Sequence, residues 1–185
     1  LGDAIDGTGW RSGGTELITT SLEEQVDMAV DVCNSVRLHG KKGFKIYGVN
    51  GTAYHTASSD GDDWDSVLCE QAGWESIGSH EWIDVNGCIF DLKHDIGSSS
   101  VPHCRMTALA KAKLWNQLWA VKGGQPNSNV IIRAHAHYNI HCGGPGWLAM
   151  ILPALQGAGS KFGGRKCEGS VDWGITVVDV DNKGH

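Results

Sequence analysis

The chain has 185 residues, of which 41% are hydrophobic and 19% are charged, a composition typical of a folded globular protein and not of a disordered one. Its net charge of −6 argues against a protein that grips nucleic acid or acidic lipid through bulk positive charge. The longest apolar run, residues 147–155, contains a proline and is too short for the roughly 20 residues that span a bilayer, so we predict no membrane partner.

Helices are predicted where apolar residues recur every three or four positions. The first follows Ser21, which with Glu24 forms a capping-box pattern, and its apolar face continues to about residue 39. A second helix is predicted over residues 107–121. Residues 56–80 are polar and are predicted to form a loop or lid insertion that contains a short helix.

Strands are predicted where apolar residues alternate or run together. The predicted strands cover residues 44–49, 82–85, 88–92, 129–133 and 173–180, and a further strand ends near residues 2–7. Asn86 and Gly87 between two of these runs are typical of a two-residue hairpin turn. We therefore predict an α/β fold, in which two packed sheets or one mixed sheet is flanked by helices, and a single domain over residues 1–185.

The contents of glycine and cysteine bear on two different properties, the backbone structure and the redox compartment. Glycine makes up 26 of the 185 residues, about twice the usual ~7%, which indicates many loops and tight turns. The six cysteines include no C-x-x-C pair and no secretory signal is seen, so we expect reduced thiols and a cytoplasmic protein. The alternative is a secreted module with three disulfides, which titration of six free thiols would exclude.

Polar residues follow the ends of several predicted strands. They are Asp3, Asp6, Asn50, His55, His94, His135 and His137. Because ligand sites collect beyond the carboxyl ends of strands in open α/β sheets, we expect these side chains to share one region. Oxygen and nitrogen ligands without thiolate suit Mn²⁺, Fe or Zn²⁺.

The pair His135 and His137 is the strongest of these signals. Residues two apart on an extended strand point the same way, and two imidazoles at one buried strand end are costly without partners. Each of the others also has an ordinary structural interpretation: a turn or helix cap for Asp3, a solvated loop for His55, and strand-end hydrogen bonding for His94.

Two weaker signals are open to two interpretations each. Trp115 and Trp119 could stack on nucleic-acid bases, although core packing is the favoured interpretation. Arg133 could contact phosphate or form an ion pair.

Three motifs in order resemble those of the calcineurin-like metallophosphoesterases, and within them the small viral or phage-type hydrolases. G-D-A-I-D at residues 2–6 matches the family's G-D-x-x-D, and R-A-H-A-H at residues 133–137 resembles G-H-x-H with alanine in place of glycine. His94 resembles the single histidine between them. The resemblance spans residues 2–137, about three-quarters of the chain, and implies a four-layer sandwich of two mixed sheets flanked by helices.

Two departures from the family pattern affect the site. V-N-G-T-A-Y-H at residues 49–55 stands where the family has G-N-H-[D/E], so Asn50, or alternatively Thr52, corresponds to the metal-binding asparagine and His55 to the catalytic histidine. The family's first motif, D-x-H, is absent and would lie upstream of Leu1. Either the chain is truncated and lacks the first strand, or its first metal site is incomplete.

The resemblance implies a role for each matching residue. Asp3 would bridge two metal ions, with Asn50, His94 and His135 completing the second site and His137 belonging to the first. Asp6 would order the loop. One or two divalent ions per chain (Mn²⁺, Zn²⁺ or Fe) would then activate water and neutralise phosphoryl charge, while His55 protonates the leaving oxygen. Without D-x-H, we expect one ion to bind firmly and the other weakly or not at all.

The function predicted from the sequence is metal-dependent hydrolysis of phosphate esters, with phosphodiesters favoured over monoesters. The expected substrate is a small phosphate ester or a nucleotide, in the cytoplasm (that of the host if the protein is viral). The first alternative is a non-catalytic metal-binding or interaction domain of the same fold. The second, less favoured, is a nuclease acting on DNA or RNA.

Overall fold

The computed structural model describes residues 1–10, 12–39, 44–57, 61, 63–156 and 171–184. The chain divides into two compact units, Leu1–Ser79 and His80–His185, and each has a hydrophobic core of its own. A single domain over residues 1–185 stays a prediction.

Helix α1 (Leu22–His39) is the long helix of the first unit, and the sequence predicted both of its ends. Ser21 caps it, because the Ser21 Oγ accepts a hydrogen bond from the Glu24 N–H at 3.2 Å. In a capping box the Glu24 side chain would accept from the Ser21 N–H. Here Thr19 stands between them: its hydroxyl donates to the Glu24 carboxylate and accepts from the Ser21 N–H.

The remaining elements of the first unit are short. They are β1 (Tyr47–Gly48), α2 (Ala53–Thr56), α3 (Trp64–Ala72) and β2 (Glu75–Ser76). β1 and β2 pair in parallel. α3 is the short helix predicted within residues 56–80, and its residues Leu68 and Ala72 pack on Val26 and Val30 of α1. The lid role of that segment stays a prediction.

The second unit is built on a mixed sheet of five strands. They are β3 (His80–Val85), β4 (Cys88–Lys93), β5 (Val130–Arg133), β6 (Ile140–Gly144) and β7 (Trp147–Ile151). Their order is β3-β4-β5-β7-β6, with parallel pairing on both sides of β5 and antiparallel pairing at both edges. The predicted α/β class with a mixed sheet is therefore confirmed.

Helix α4 (Thr107–Val121) packs against this sheet, after a short 3₁₀ helix at Pro102–Cys104. Its Leu109 is fully buried and belongs to the same cluster as Ile131 and Ile151. The sequence predicted the bounds of this helix, because apolar residues recur along it at helical spacing.

The prediction that Trp115 and Trp119 pack in the core is wrong, because they are 52% and 49% exposed. The inward face of α4 is taken instead by Lys113 and Asn116, which are buried. The Lys113 ammonium donates to the Ser128 carbonyl at 2.6 Å, and the Asn116 side chain donates to the Ser128 hydroxyl at 3.0 Å. The two tryptophans therefore lie on the outward side of α4, and the two polar residues find their partners inside the fold.

Some predicted strands differ from those observed. Residues 2–7 and most of 44–49 are loop, and the predicted strand at 173–180 forms only one isolated bridge, between Trp173 and Ala154. Strand structure needs a partner ladder, which apolar alternation alone does not supply. The hairpin of β6 and β7 was not predicted.

Among the described residues, five cysteines are unpaired, namely Cys33, Cys69, Cys88, Cys104 and Cys142. That the cysteines are reduced stays a prediction. Cys167 lies outside the described residues. Among the helices that the structure describes, none is both long and apolar enough to cross a lipid bilayer.

Candidate metal centre

Two histidines of the second unit meet where neighbouring parallel strands end. His94 directly follows β4, and His135 lies two residues after β5, which pairs with β4 in parallel. The carboxyl ends of parallel strands lie at the same edge of a sheet. As a result the Nε2 of His94, a side chain only 3% exposed, lies 3.3 Å from the Nδ1 of His135.

This separation can be compared with that of two metal ligands. Two imidazole nitrogens bound to one tetrahedral ion, each about 2.0–2.1 Å from it, are roughly 3.3 Å apart. The observed separation is therefore that expected of two ligands of one divalent ion. It also fits an imidazole–imidazole hydrogen bond, in which one ring donates and the other accepts.

Three of the predicted site residues have left-handed backbone. Asp3, His135 and His137 have φ angles of +53°, +64° and +58°, a region that is uncommon outside glycine, although asparagine, aspartate and histidine adopt it more often than other residue types do. Among the described residues the only other such case outside glycine is Asn86, at φ +54° in the hairpin turn, where this conformation is ordinary. Strain of about 1–3 kcal/mol per residue persists where the surrounding structure enforces it, and such residues cluster at functional sites.

A buried ion pair lies just before these histidines in the sequence. The Arg133 guanidinium, 5% exposed, lies 2.7 Å from the Asp91 carboxylate, which also contacts the His80 Nε2 at 3.0 Å. Arg133 also donates to the backbone oxygen of Asp91 at 3.0 Å. Of the two interpretations of Arg133, the ion pair holds, and its guanidinium is directed into the sheet.

In the first unit, Asp3 is held by Thr52. The Thr52 N–H donates to the Asp3 Oδ1 at 2.6 Å, and the Thr52 hydroxyl lies 3.0 and 3.1 Å from the two carboxylate oxygens. Gly51 has to be glycine here, because a Cβ on it would come within 2.2 Å of both the backbone nitrogen and the Oδ1 of Asp3.

The loop that carries Asp3 is ordered by Asp65, which the sequence analysis did not single out. Asp65 is 4% exposed, and its carboxylate accepts hydrogen bonds from the backbone N–H groups of Asp3, Ala4 and Gly51 at 2.9, 3.1 and 2.7 Å. Burial raises the pKa of Asp65, which these three donors partly oppose. One buried carboxylate thus joins the two loops in which Asp3 and Gly51 lie.

His55 has a defined tautomer. Its Nδ1 lies 2.8 Å from the backbone oxygen of Asp6, and because a carbonyl oxygen can only accept, Nδ1 carries the proton. The Nε2 is therefore the basic nitrogen of the neutral ring, and it lies 4.0 Å from the Asp3 Oδ2. Asp6 takes part through its backbone.

Asn50 and Thr52, the two alternatives for one ligand position, have different surroundings. The Asn50 Oδ1 lies 3.5 and 3.4 Å from the hydroxyls of Ser66 and Ser76. Thr52, by contrast, contacts the Asp3 carboxylate. The choice between the two as a metal ligand stays a prediction.

The predicted site residues thus fall into two groups. Asp3, Asn50 and His55 belong to the first unit, and His94, His135 and His137 belong to the second. Within each unit the chain brings predicted residues together: Asp3 with His55, and His94 with His135.

Comparison with known proteins identifies no family for this chain. The chain matches no protein-family model and no curated protein. One solved structure that it resembles is the solution NMR structure of Thermotoga maritima protein TM1076, at 15% identity and a TM-score of 0.31, covering 61% of this chain and 71% of that one. A similarity at this level supports no inference about function.

Proposed function

We propose that the protein is a metal-dependent hydrolase of phosphate esters, with phosphodiesters as the favoured substrates, on a metallophosphoesterase-like sandwich. The observation that carries the proposal is the His94–His135 pair, with 3.3 Å between ring nitrogens at the ends of two parallel strands. The left-handed backbone of His135 is in keeping with it, because such conformations are uncommon outside glycine and cluster at functional sites.

The donor atoms suit a divalent transition metal ion. Imidazole nitrogens with carboxylate and amide oxygens bind Mn²⁺, Fe and Zn²⁺, and a bound ion would supply charge neutralisation to the phosphoryl oxygens and activate water. The proposal keeps the ligand set that the sequence motifs imply, namely Asp3, Asn50, His94, His135 and His137, with one or two ions per chain.

His55 is the proposed proton donor. The Asp6 carbonyl holds a proton on its Nδ1, so proton exchange with a substrate would take place at its Nε2. The Asp3 carboxylate lies 4.0 Å from this nitrogen, and a protonated Nε2 would be the donor. A leaving oxygen that takes this proton departs as a neutral alcohol.

The first test is hydrolysis of bis(p-nitrophenyl) phosphate with Mn²⁺ and after chelation. We expect turnover that requires metal and that falls by about a hundredfold or more in His135→Ala, since a ligand is lost. His141→Ala is the matched control, because His141 is an exposed histidine of the same unit, and its turnover should equal that of the unchanged protein.

Absence of turnover in folded protein that binds Mn²⁺ would refute hydrolysis and favour the non-catalytic metal-binding domain. Unchanged turnover in His135→Ala would leave a hydrolase whose centre does not include this pair. Calorimetric titration with Mn²⁺ on the same samples separates these outcomes.

Nucleic acid is a second candidate substrate, favoured by an uneven charge distribution. Residues 96–167 contain eight lysines and arginines and no acidic residue, within a chain of net charge −6, and of the eight Lys113 and Arg133 are buried inside the fold. Trp115 and Trp119 on α4 are half exposed in this region, and exposed aromatic rings beside basic residues are typical of single-strand binding. If oligonucleotides are substrates, their binding weakens steeply as salt rises. Binding that is indifferent to salt would remove this candidate.

A further inference from the structure

A groove of about 520 Å³ lies in the second unit beside the turn that carries His137. Its lining residues come from three segments that follow the sheet strands: Asn139, Pro153, Val171, Asp172, Trp173, Gly174 and Ile175. This volume is within the range of sites that bind small organic ligands.

The groove is fixed to the histidine turn by hydrogen bonds. The Asp172 N–H donates to the His137 carbonyl at 2.9 Å, and the Asn139 N–H donates to the Asp172 carboxylate at 2.6 Å. On its other side the segment is tied to Ala154, through the Ala154 N–H to the Asp172 carbonyl at 2.9 Å and the Gly174 N–H to the Ala154 carbonyl at 3.2 Å. The wall of the groove therefore has a set position relative to His137.

The chemistry of the lining selects what the groove would hold. Trp173 is 72% exposed and Ile175 is 78% exposed, so a flat indole and an aliphatic side chain border an open space. None of the described residues that line the groove is a lysine or arginine, and the one charged group is the Asp172 carboxylate. The Asp172 carboxylate in this lining disfavours a second anionic group on the ligand.

We propose that this groove holds the organic group of the phosphate ester substrate, and that Trp173 determines specificity by stacking on a flat, uncharged aromatic group. The inference rests on the proposed function, because the histidines would hold the phosphoryl group while the groove takes the part attached to it. Substrates that carry an aryl or nucleoside group would be preferred over alkyl esters and over esters with a second phosphate.

The test compares the binding of phenyl phosphate and methyl phosphate to the Mn²⁺-loaded protein by calorimetry. Loss of one stacking contact weakens binding by about tenfold. We expect phenyl phosphate to bind about tenfold more tightly than methyl phosphate, and Trp173→Ala to abolish that difference while leaving methyl phosphate and inorganic phosphate unchanged. Trp173→Phe, which retains a flat ring, should keep most of the preference.

The control is Val121→Ala, which removes an exposed apolar side chain of the same unit away from the groove and should leave both affinities unchanged. Competitive inhibition of diester hydrolysis by the two esters gives an independent measure of the same ratio. A ratio that survives in Trp173→Ala, or a chain that binds both esters equally, overturns the groove assignment and leaves the hydrolase intact. Failure of all three phosphates to bind, together with no turnover, overturns the proposed function itself.

Discussion

Among the described residues, each unit of the molecule buries one aspartate almost completely, and the two are stabilised in different ways. Asp65 in the first unit is 4% exposed and Asp91 in the second is 2% exposed. Backbone N–H groups of two loops surround the first, whereas the side chains of Arg133 and His80 surround the second. The same residue type therefore orders loops in one unit and joins strands in the other.

The pKa values of the two carboxyl groups move in opposite directions for this reason. Burial raises the pKa of Asp65, and the dipoles of three backbone donors do not fully offset that effect. Burial acts on Asp91 in the same sense, but the hydrogen bonds and positive charges of His80 and Arg133 outweigh it, so the pKa of Asp91 lies below its ordinary value. Backbone donors thus only partly offset the effect of burial on the pKa of a carboxyl group, whereas the side chains of His80 and Arg133 outweigh it.

The largest expected effect follows from removing Asp91. Asp91→Ala leaves the Arg133 guanidinium as a buried charge without its counter-ion, which should lower the free energy of unfolding by about 3–5 kcal/mol. Urea denaturation measures this loss. Asp179→Ala, which removes an exposed carboxylate from the same unit, should change the value by less than about 0.5 kcal/mol.

A second substitution tests whether the lone cation is the cause. Adding Arg133→Met to Asp91→Ala should recover part of the lost stability, because no uncompensated charge then remains. If the double variant is less stable by the full sum of the two single losses, the ion pair is not what makes Asp91 important.

Asp65→Ala should have a smaller effect, a loss of about 2–3 kcal/mol in the free energy of unfolding. Three backbone N–H groups lose their acceptor, but Asp3 and Gly51 are only half buried, so water can reach them. Denaturation gives the loss, and amide hydrogen exchange should quicken at Asp3 and Gly51. Glu70→Ala, on the exposed side of the same helix, is the control and should change neither.

The dependence of the free energy of unfolding on pH should also differ between the two aspartates. This effect should be smaller than that of either substitution, because protonation removes the charge but keeps the carboxyl oxygen atoms. The folded-state pKa of Asp91 is lowered, so its stabilisation is present above about pH 3.9, the unfolded value, and is lost as pH falls through the folded pKa.

Asp65 has the opposite sign. Its folded-state pKa is raised, so ionisation costs stability as pH rises from the unfolded pKa through the folded one. Urea denaturation between pH 3 and 7 of the unchanged protein, Asp91→Asn and Asp65→Asn checks both signs. Equal slopes in the two variants would contradict the contrast between neutral donors and cations.

Local sequence signals were sufficient for the elements with a strong repeat or turn. Both long helices and the Asn86–Gly87 hairpin were predicted, since helical spacing and turn residues act over a few positions. The β6–β7 hairpin was missed because residues 142–146 are mostly glycine and proline, which conceal strand alternation. Residues 173–180 have the alternation but lack the partner strand.

The candidate site divides in the same way. The proximity of His94 and His135 could be predicted, because each follows an apolar run and the ends of parallel strands lie at one edge of a sheet. Asp65 escaped notice because an aspartate in the first turn of a helix is ordinary, and only the fold brings Asp3 and Gly51 to its carboxylate. A charged residue inside the apolar run at 89–92 was a signal for Asp91 that could have been used.

The smallest expected effect concerns the single side-chain hydroxyl that holds Asp3. Thr52→Val removes the hydroxyl contacts at 3.0 and 3.1 Å but keeps the backbone N–H bond at 2.6 Å, so the free energy of unfolding should fall by only about 1 kcal/mol. Thr52→Ser should restore it. Since backbone donors hold the carboxylates of the first unit, a side-chain donor should matter less than Asp65 does. A loss in Thr52→Val as large as that in Asp65→Ala would mean that side chains order this unit too, and the contrast with the second unit would fail.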